Sequence, residues 1–280
     1  MSLKRRLRWA VQSAFRQRHL KNIFYHPAVA RKLRDLPGWR RLYDGGVDLQ
    51  HPFDSFYGTE TRGYSADEVA LGQHNQSVKT TVYIGSQPSI IRRALAVLPP
   101  LDDFTFVDLG CGKGRPLLVA SEFSFKQIIG VELSAALVDD AKNNVAILAQ
   151  RFSNRVLPLI ELCDAGTYLL PEGNIVLFLY NPFGEPVISR VIANLENSLG
   201  SRRLFVVYYN PVHGHCFDKL GIFSRYFAAT FSYSDEEIGY GPDQSDSVVI
   251  WQAGAALPPM KHATARILVT KVGNRAEIMN

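Results

Sequence analysis

Short apolar runs alternate with amphipathic helical patterns from Phe104 onwards, and this alternation limits the fold more than any other feature. Five runs have the length and β-branched or aromatic content of buried strands, and a helical pattern separates each run from the next. Such alternation is typical of βαβ units, whose strands pair in parallel in one sheet. Strands are predicted at 104–109, 127–132, 157–163, 174–180 and 203–209, and helices at 114–122, 134–149, 185–199 and 215–221.

Two further β-like runs follow these units, from Tyr226 to Ser232 and from Ser247 to Trp251. The connection between them is acidic and contains glycine, which favours an antiparallel hairpin at the sheet edge. Prolines delimit one more helix at 89–98, and a β-like run at 267–272 has no identifiable partner. The sequence therefore predicts an α/β fold, with a Rossmann-like, mostly parallel seven-stranded sheet covered by helices on both faces.

The positive charge of the chain is concentrated at its N-terminus. Residues 1–43 hold 12 Lys and Arg residues against the single acid Asp35, although the net charge of the whole chain is only +5. Leu3, Leu7 and Val11 recur there at helical spacing, which predicts a basic amphipathic helix. Contact with an anionic membrane or nucleic acid, a transit peptide, and packing on the chain's own domain are three open interpretations of this helix.

The segment from Pro52 to Tyr64 is polar and irregular, so it is predicted to be a loop. Thr59 and Thr61 are expected to reach a ligand if this loop acts as a lid. The predicted regions are a basic helical extension with this lid-like loop (1–65), an α/β domain (66–255) and a C-terminal tail (256–280).

Composition restricts the class of protein. The chain is 46% hydrophobic, but its longest apolar runs fall far short of the roughly 20 residues that span a bilayer. Its three cysteines have no disulfide or zinc spacing, which favours a reducing, cytoplasmic compartment, with at most peripheral membrane contact. His213-Gly-His-Cys216 has metal-binding residue types, but no second cluster in the sequence completes it, so no metal is predicted.

The motif Asp108-Leu-Gly-Cys-Gly-Lys-Gly114 follows the first predicted strand and opens a helix, as a nucleotide-binding glycine loop does. Its glycines let the backbone turn sharply and let a ligand approach the main chain. Glu132 ends the second strand at the same sheet edge, where its carboxylate can accept hydrogen bonds from ribose hydroxyls.

Asp108 and Arg115 distinguish between two cofactors for this loop. A dinucleotide fingerprint needs a small residue at position 115, where this chain has arginine. Asp108 would repel a pyrophosphate but attract a cationic sulfonium ligand with an ammonium group. The predicted cofactor is therefore S-adenosylmethionine.

These residues resemble the first two motifs of the class I, Rossmann-like S-adenosylmethionine-dependent methyltransferases, over residues 101–255. The resemblance implies that Asp108 orients the loop and the methionine ammonium, and that Glu132 binds the ribose. It also implies that Leu133 packs on the adenine and that Asp164, with Ala165, lies at the adenine amino group. The implied cofactor contacts from the loop itself are Gly110, Cys111, Gly112 and Gly114.

The fourth strand runs into Tyr180-Asn-Pro-Phe183, beside the expected methyl donor. Amino-directed members of the family carry Asn/Asp-Pro-Pro-aromatic there, and this chain is similar but lacks the second proline. The resemblance implies that Asn181 orients the target nitrogen next to the cofactor while Phe183 or Tyr180 shields it from water. A plain turn that ends the strand is the alternative.

The wider pattern resembles a group of uncharacterised bacterial methyltransferases and, more weakly, seven-strand protein lysine methyltransferases. This resemblance implies methyl transfer to a nitrogen acceptor, such as a protein lysine or another amine. An RNA, DNA or small-molecule acceptor, and a non-catalytic module that binds S-adenosylmethionine or RNA, are the alternatives.

Overall fold

The computed structural model describes residues 51–62, 85–180, 183–238, 240, 244–255, 257–270 and 275–279. The basic extension at residues 1–50 lies outside the described residues, and so do the segment 63–84 and the pair Asn181 and Pro182. The predicted basic helix and the domain boundaries therefore stay predictions.

Seven strands form one sheet in the order β3-β2-β1-β4-β5-β7-β6. The five strands β1 to β5 pair in parallel, whereas β7 inserts between β5 and β6 and runs antiparallel to both. The predicted α/β class, with its parallel sheet and antiparallel hairpin, is confirmed. The strands are β1 (Phe104–Leu109), β2 (Gln127–Glu132), β3 (Leu159–Leu162), β4 (Asn174–Tyr180), β5 (Arg203–Tyr209), β6 (Ser224–Ser232) and β7 (Ser245–Gly254).

Helices cover both faces of the sheet. Side chains alternate along each strand, so that Val176 and Phe178 enter a first core while Ile175 and Leu177 enter a second. Helices α1 to α4 contribute to the first core, and α5 and α6 contribute to the second. They are α1 (Pro52–Tyr57), α2 (Pro88–Ala96), α3 (Arg115–Ala120), α4 (Ala135–Arg151), α5 (Glu185–Ser198) and α6 (His215–Asp218). Among the described residues, no helix is long and apolar enough to cross a bilayer.

Helix α1 corrects the prediction of a loop between Pro52 and Tyr64. Pro52 occupies the first turn, where its missing N–H costs nothing, and the His51 ring accepts a hydrogen bond from the Phe53 N–H at 3.1 Å. Gly58, with a φ of 75°, ends the helix in the left-handed conformation. The segment is polar because its side chains cap the helix and bind buried partners. A count of polar residues cannot distinguish such buried polar side chains from solvent-exposed ones.

The β-like run near residue 267 finds its partner at the end of the chain. Strand β8 (Arg266–Thr270) pairs antiparallel with β9 (Arg275–Met279) in a separate two-stranded sheet. The Ala276 N–H donates to Oδ1 of Asn210 at 2.7 Å, and Ile267 and Ile278 pack against the second core. The tail therefore lies against the carboxyl end of β5.

Candidate functional site

The glycine loop turns sharply between β1 and α3. Gly110, Gly112 and Gly114 have φ values of 83°, 54° and 84°, which side chains with a Cβ rarely adopt. The N–H groups of Gly110 and Cys111 donate to the Val131 carbonyl at 2.8 and 3.1 Å, so the loop is tied to β2. The Cys111 side chain is buried in the first core. The Cys111 side chain therefore does not reach the surface of the turn, and the cofactor contacts of the loop stay predictions.

Glu132 is fixed at the carboxyl end of β2 by the loop and by its own strand end. Its carboxylate accepts hydrogen bonds from the N–H groups of Gly112 at 2.9 Å, Leu133 at 2.8 Å and Ser134 at 3.0 Å. An ionised carboxylate offers about four acceptor positions, so these three bonds leave room for a further donor. This arrangement agrees with the predicted ribose contact.

Asp108 lies at the carboxyl half of β1 with its carboxylate inside the protein. It is 1% exposed, and its Oδ2 has no hydrogen-bond partner among the described residues. Burial raises the pKa of this carboxyl well above its usual range, and the neighbouring Glu132 carboxylate raises it further. A buried acceptor without a donor is costly, and a cationic ligand in the crevice would remove that cost.

Two leucines border the crevice beside Glu132. Leu133 and Leu162 are 47% and 59% exposed, which is unusual for large apolar side chains at the end of a buried sheet. Leu162 is the register partner of Glu132. Asp164 follows and is oriented by the Gly166 N–H, which donates to Oδ1 at 2.8 Å, whereas the Ala165 side chain is buried in the second core. An apolar surface next to a polar edge is what an adenosine requires.

A buried carboxylate stabilises the predicted lid through hydrogen bonds within the 51–62 segment. Asp54 is fully buried, and its Oδ1 accepts hydrogen bonds from the Thr59 hydroxyl at 2.9 Å, the Thr61 hydroxyl at 2.7 Å and the Thr61 N–H at 3.0 Å. The two hydroxyls that were expected to face a ligand therefore stabilise the 51–62 segment. Their contact with a cofactor stays a prediction.

Arg115 joins the glycine loop to this segment. Its guanidinium is buried and donates to the Thr61 hydroxyl at 2.7 Å, the Thr61 carbonyl at 3.0 Å and the Ser86 carbonyl at 3.0 Å, and it lies 3.5 Å from Asp54 Oδ2. A Cβ on Gly85 would come within 2.6 Å of the same guanidinium. In the sequence, Arg115 served only as evidence against a dinucleotide. Its role in holding the 51–62 segment next to the glycine loop was not predicted.

Asn144 on α4 makes a second connection that the sequence did not indicate. Its side chain accepts from the Glu60 N–H at 2.9 Å and donates to the carbonyls of Glu60 and Lys113, both at 3.0 Å. One buried amide thus connects α4, the glycine loop and the 51–62 segment. The pattern Phe-Asp-x-x-Tyr-Gly-Thr-x-Thr at residues 53–61 is the sequence signal that coincides with this assembly.

The acceptor side of the crevice is described in part, because Asn181 lies outside the described residues. Tyr180 is partly buried and packs against the first core, where its ring centre lies 4.4 Å from that of Tyr209. Phe183 packs against the second core. The two aromatic side chains therefore flank the end of β4 from opposite faces of the sheet, and the catalytic roles of these residues stay predictions.

A cluster of potential metal ligands lies just beyond β4. Glu185 Oε1 is 3.3 Å from His215 Nε2 and 3.8 Å from Cys216 Sγ, and the last two atoms are 3.6 Å apart. The sequence indicated His215 and Cys216 but not Glu185, because the fold brings it from 30 residues away.

Comparisons with known proteins find methyltransferases, although no protein-family model matches the chain. A protein-lysine N-methyltransferase of Saccharolobus islandicus (strain REY15A) is 31% identical over 64 residues, which make up 22% of this chain and 40% of that protein. The chain thus spans less than half the length of this relative.

Solved structures resemble the α/β part of the chain at low identity. An RNA methyltransferase from Salinibacter ruber with bound S-adenosyl-L-homocysteine is 18% identical, with a TM-score of 0.42 over 62% of this chain and 97% of that one. A dimethyladenosine transferase from Plasmodium falciparum is 13% identical, with a TM-score of 0.44 over 61% and 63%. A magnesium protoporphyrin IX methyltransferase from Synechocystis PCC 6803 with bound SAM is 15% identical, with a TM-score of 0.42 over 81% and 96%.

The geometry of the chain itself carries the assignment of the fold. Five parallel strands are followed by a hairpin whose last strand inserts antiparallel next to β5. The glycine loop follows β1, and an acid follows at the end of β2. The chain therefore has the fold of the class I S-adenosylmethionine-dependent methyltransferases.

Proposed function

We propose that this chain is an S-adenosylmethionine-dependent methyltransferase that acts on a nitrogen acceptor, a protein lysine or another amine. The observation that carries the proposal is the buried Asp108 Oδ2, which has no partner among the described residues and lies between the glycine loop and Glu132. A ligand ammonium would supply the missing donor and a compensating charge. A pyrophosphate would add a third negative group to the same place.

The surrounding residues provide for the rest of this ligand. Glu132 accepts hydrogen bonds from the ribose, the exposed faces of Leu133 and Leu162 contact the adenine, and Asp164 accepts from its amino group. The positive-φ glycines let the main chain approach the ligand closely. When bound, the cofactor supplies an electrophilic methyl group on a cationic sulfur.

Support for a nitrogen acceptor comes from the end of β4 and from the short match to a protein-lysine N-methyltransferase. Asn181 accepts hydrogen bonds from the target nitrogen, and Phe183 and Tyr180 exclude water from its two sides. Orientation of the nitrogen in line with the methyl carbon can supply much of the rate enhancement. A protonated lysine must lose its proton before it can attack.

Calorimetry with S-adenosylmethionine tests the cofactor site. Asp108→Ala and Glu132→Ala each remove charge-assisted hydrogen bonds worth about 1.5–3 kcal/mol, so each is expected to weaken binding about 10- to 100-fold. Asp102→Ala, which removes an exposed carboxylate before β1, is the matched control and leaves the affinity unchanged. Wild-type affinity in both site variants would contradict the cofactor assignment.

Incubation with methyl-labelled cofactor and fractionated lysate tests the acceptor. Label in acid-stable lysine of a protein is the expected result, whereas label in RNA, DNA or small molecules would replace the proposed substrate class. The nucleic-acid alternative is favoured by the 12 basic residues of the N-terminal 43. Saturable cofactor binding with no transfer to any fraction would indicate a non-catalytic binding module.

A further inference from the structure

The Glu185, His215 and Cys216 cluster brings three different donor atoms to one point. Carboxylate oxygen, imidazole nitrogen and thiolate sulfur are the three ligand types that Zn²⁺ binds in proteins. Their separations are 3.3 Å for O and N, 3.6 Å for N and S, and 3.8 Å for O and S. Bond lengths of about 2.0–2.3 Å around a tetrahedral zinc place such donors about 3.3–3.7 Å apart. The O to N and N to S separations lie within that range and the O to S separation exceeds it by about 0.1 Å, so the triangle is close to one face of that tetrahedron.

The three side chains project from backbone that other contacts hold in place. Phe217 stacks on Trp251 at 5.1 Å between ring centres, and the Trp251 indole N–H donates to Asp218 Oδ1 at 2.9 Å. A Cβ on Gly214 would come within 2.9 Å of Trp251, so only glycine lets α6 approach the sheet this closely. Glu185 is the first residue of α5, whose Ile188 and Leu195 are buried in the second core. A site on fixed elements needs little rearrangement to take up an ion.

The cluster is also open to an incoming ion. Side-chain exposure is 46% for His215 and 52% for Glu185, whereas Cys216 is 9% exposed. An ion pair between Glu185 and His215 would need only these two side chains. It would not explain why the Cys216 thiol also lies within reach of both. Convergence of all three atoms, from two helices that are distant in sequence, is the observation that points to a metal.

We propose that this chain binds one zinc ion through Glu185, His215 and Cys216, with the fourth coordination position open. Three protein ligands and one exchangeable position are the pattern of zinc sites that bind water or substrate, whereas structural sites are closed by four protein ligands. The ion lies just past the carboxyl ends of β4 and β5, on the edge that carries the proposed acceptor site. The zinc site does not depend on the identity of the methyl donor.

Zinc titration of the metal-free, reduced full-length chain against a chromophoric chelator tests the proposal. We expect one zinc per chain, and we expect Cys216→Ser, His215→Ala and Glu185→Gln each to weaken binding by more than about 100-fold, since even changes around the ligands cost about 10- to 100-fold. Cys163→Ser is the matched cysteine control and retains zinc. Wild-type affinity in the three ligand variants, or no stoichiometric binding by the wild type, would overturn the site.

Cobalt substitution tests the ligand set and the open position. A thiolate-to-cobalt charge-transfer band that is lost in Cys216→Ser is expected, and added azide should shift the visible bands because the fourth position exchanges. His213→Ala is expected to keep both signals, and a loss of metal as large as that in His215→Ala would contradict the open position. Far-ultraviolet circular dichroism of each variant distinguishes loss of zinc binding from unfolding. The S-adenosylmethionine affinity of each variant distinguishes failure of the zinc site from failure of the proposed function.

Discussion

Asp108 destabilises the free protein at neutral pH, but in the proposed complex its carboxylate binds the ligand ammonium. Its carboxylate is buried beside a second acid and lacks a partner among the described residues, so ionisation is unfavourable in the folded chain. The raised pKa means that Asp108 stabilises the fold most below its unfolded pKa of about 3.9, and that this contribution is lost as the pH rises through the folded value. An asparagine at this position has the same shape without the charge, so it would avoid this loss of folding stability.

Asp108→Asn is therefore expected to raise the melting temperature of the free protein at neutral pH while it weakens S-adenosylmethionine binding. The amide keeps the shape of the side chain but carries no charge, so the difference in melting temperature should grow as the pH increases above about 4. Thermal unfolding across this range, with Asp102→Asn as the control, measures the effect. A variant that is less stable than the wild type at pH 7 would contradict this account of Asp108.

Cofactor binding should also release a proton. A ligand ammonium favours the ionised form of Asp108, whose pKa is raised in the free protein, so affinity should rise as the pH increases towards that raised pKa, as long as the ligand's α-amino group, with a pKa of about 7.7–8.0, stays charged. Calorimetry in buffers of different ionisation enthalpy measures the proton count directly. Asp108→Asn should show neither proton release nor the rise in affinity.

At the scale of elements, Arg115 connects α3 to the 51–62 segment through buried hydrogen bonds to the Thr61 hydroxyl and carbonyl and a buried ion pair with Asp54. Asp54 would be left as a buried charge if the guanidinium were removed. Breaking such a pair costs about 3–5 kcal/mol, far more than an exposed ion pair.

Arg115→Met is accordingly expected to lower the free energy of unfolding by about 3–5 kcal/mol and to expose the Thr61 amide to hydrogen exchange. Arg62→Met is the matched control, because the Arg62–Glu60 pair is exposed and contributes about 0–1 kcal/mol. Urea unfolding and hydrogen exchange provide the two measurements. Equal losses in the two variants would show that Arg115 does not anchor the segment.

The sequence predicted the buried strands well and the connections between elements poorly. The bounds of β1, β2, β4 and β5 agree with the structure because these strands are apolar on both faces, so each appears as one continuous run. Helix α1 and the partners of Arg115 were missed for the opposite reason. Their polar groups are satisfied by residues up to 98 positions away, and a local pattern carries no information about such partners.

At the scale of the whole molecule, charge divides the chain. Residues 1–43 carry 12 of the 31 basic residues and only one of the 26 acids, so the rest of the chain is acidic overall. A strongly basic extension on an acidic α/β domain favours a polyanionic partner, to which it would bind through release of counterions. The acidic domain itself would be repelled by such a partner.

Removal of residues 1–43 is expected to abolish binding to RNA while it leaves S-adenosylmethionine affinity unchanged, since the candidate cofactor residues all lie after residue 43. Neutralising 6–10 phosphates makes affinity fall by about 10³- to 10⁵-fold between 50 and 200 mM salt, so the wild type should show a steep salt dependence. Binding to vesicles of anionic lipid is the comparison with RNA. If the stripe of Leu3, Leu7 and Val11 inserts into the lipid, vesicle binding will depend on apolar contact as well as on charge. If the stripe packs on the chain's own domain instead, the truncated protein will unfold at a lower temperature and the full-length protein will bind neither polyanion.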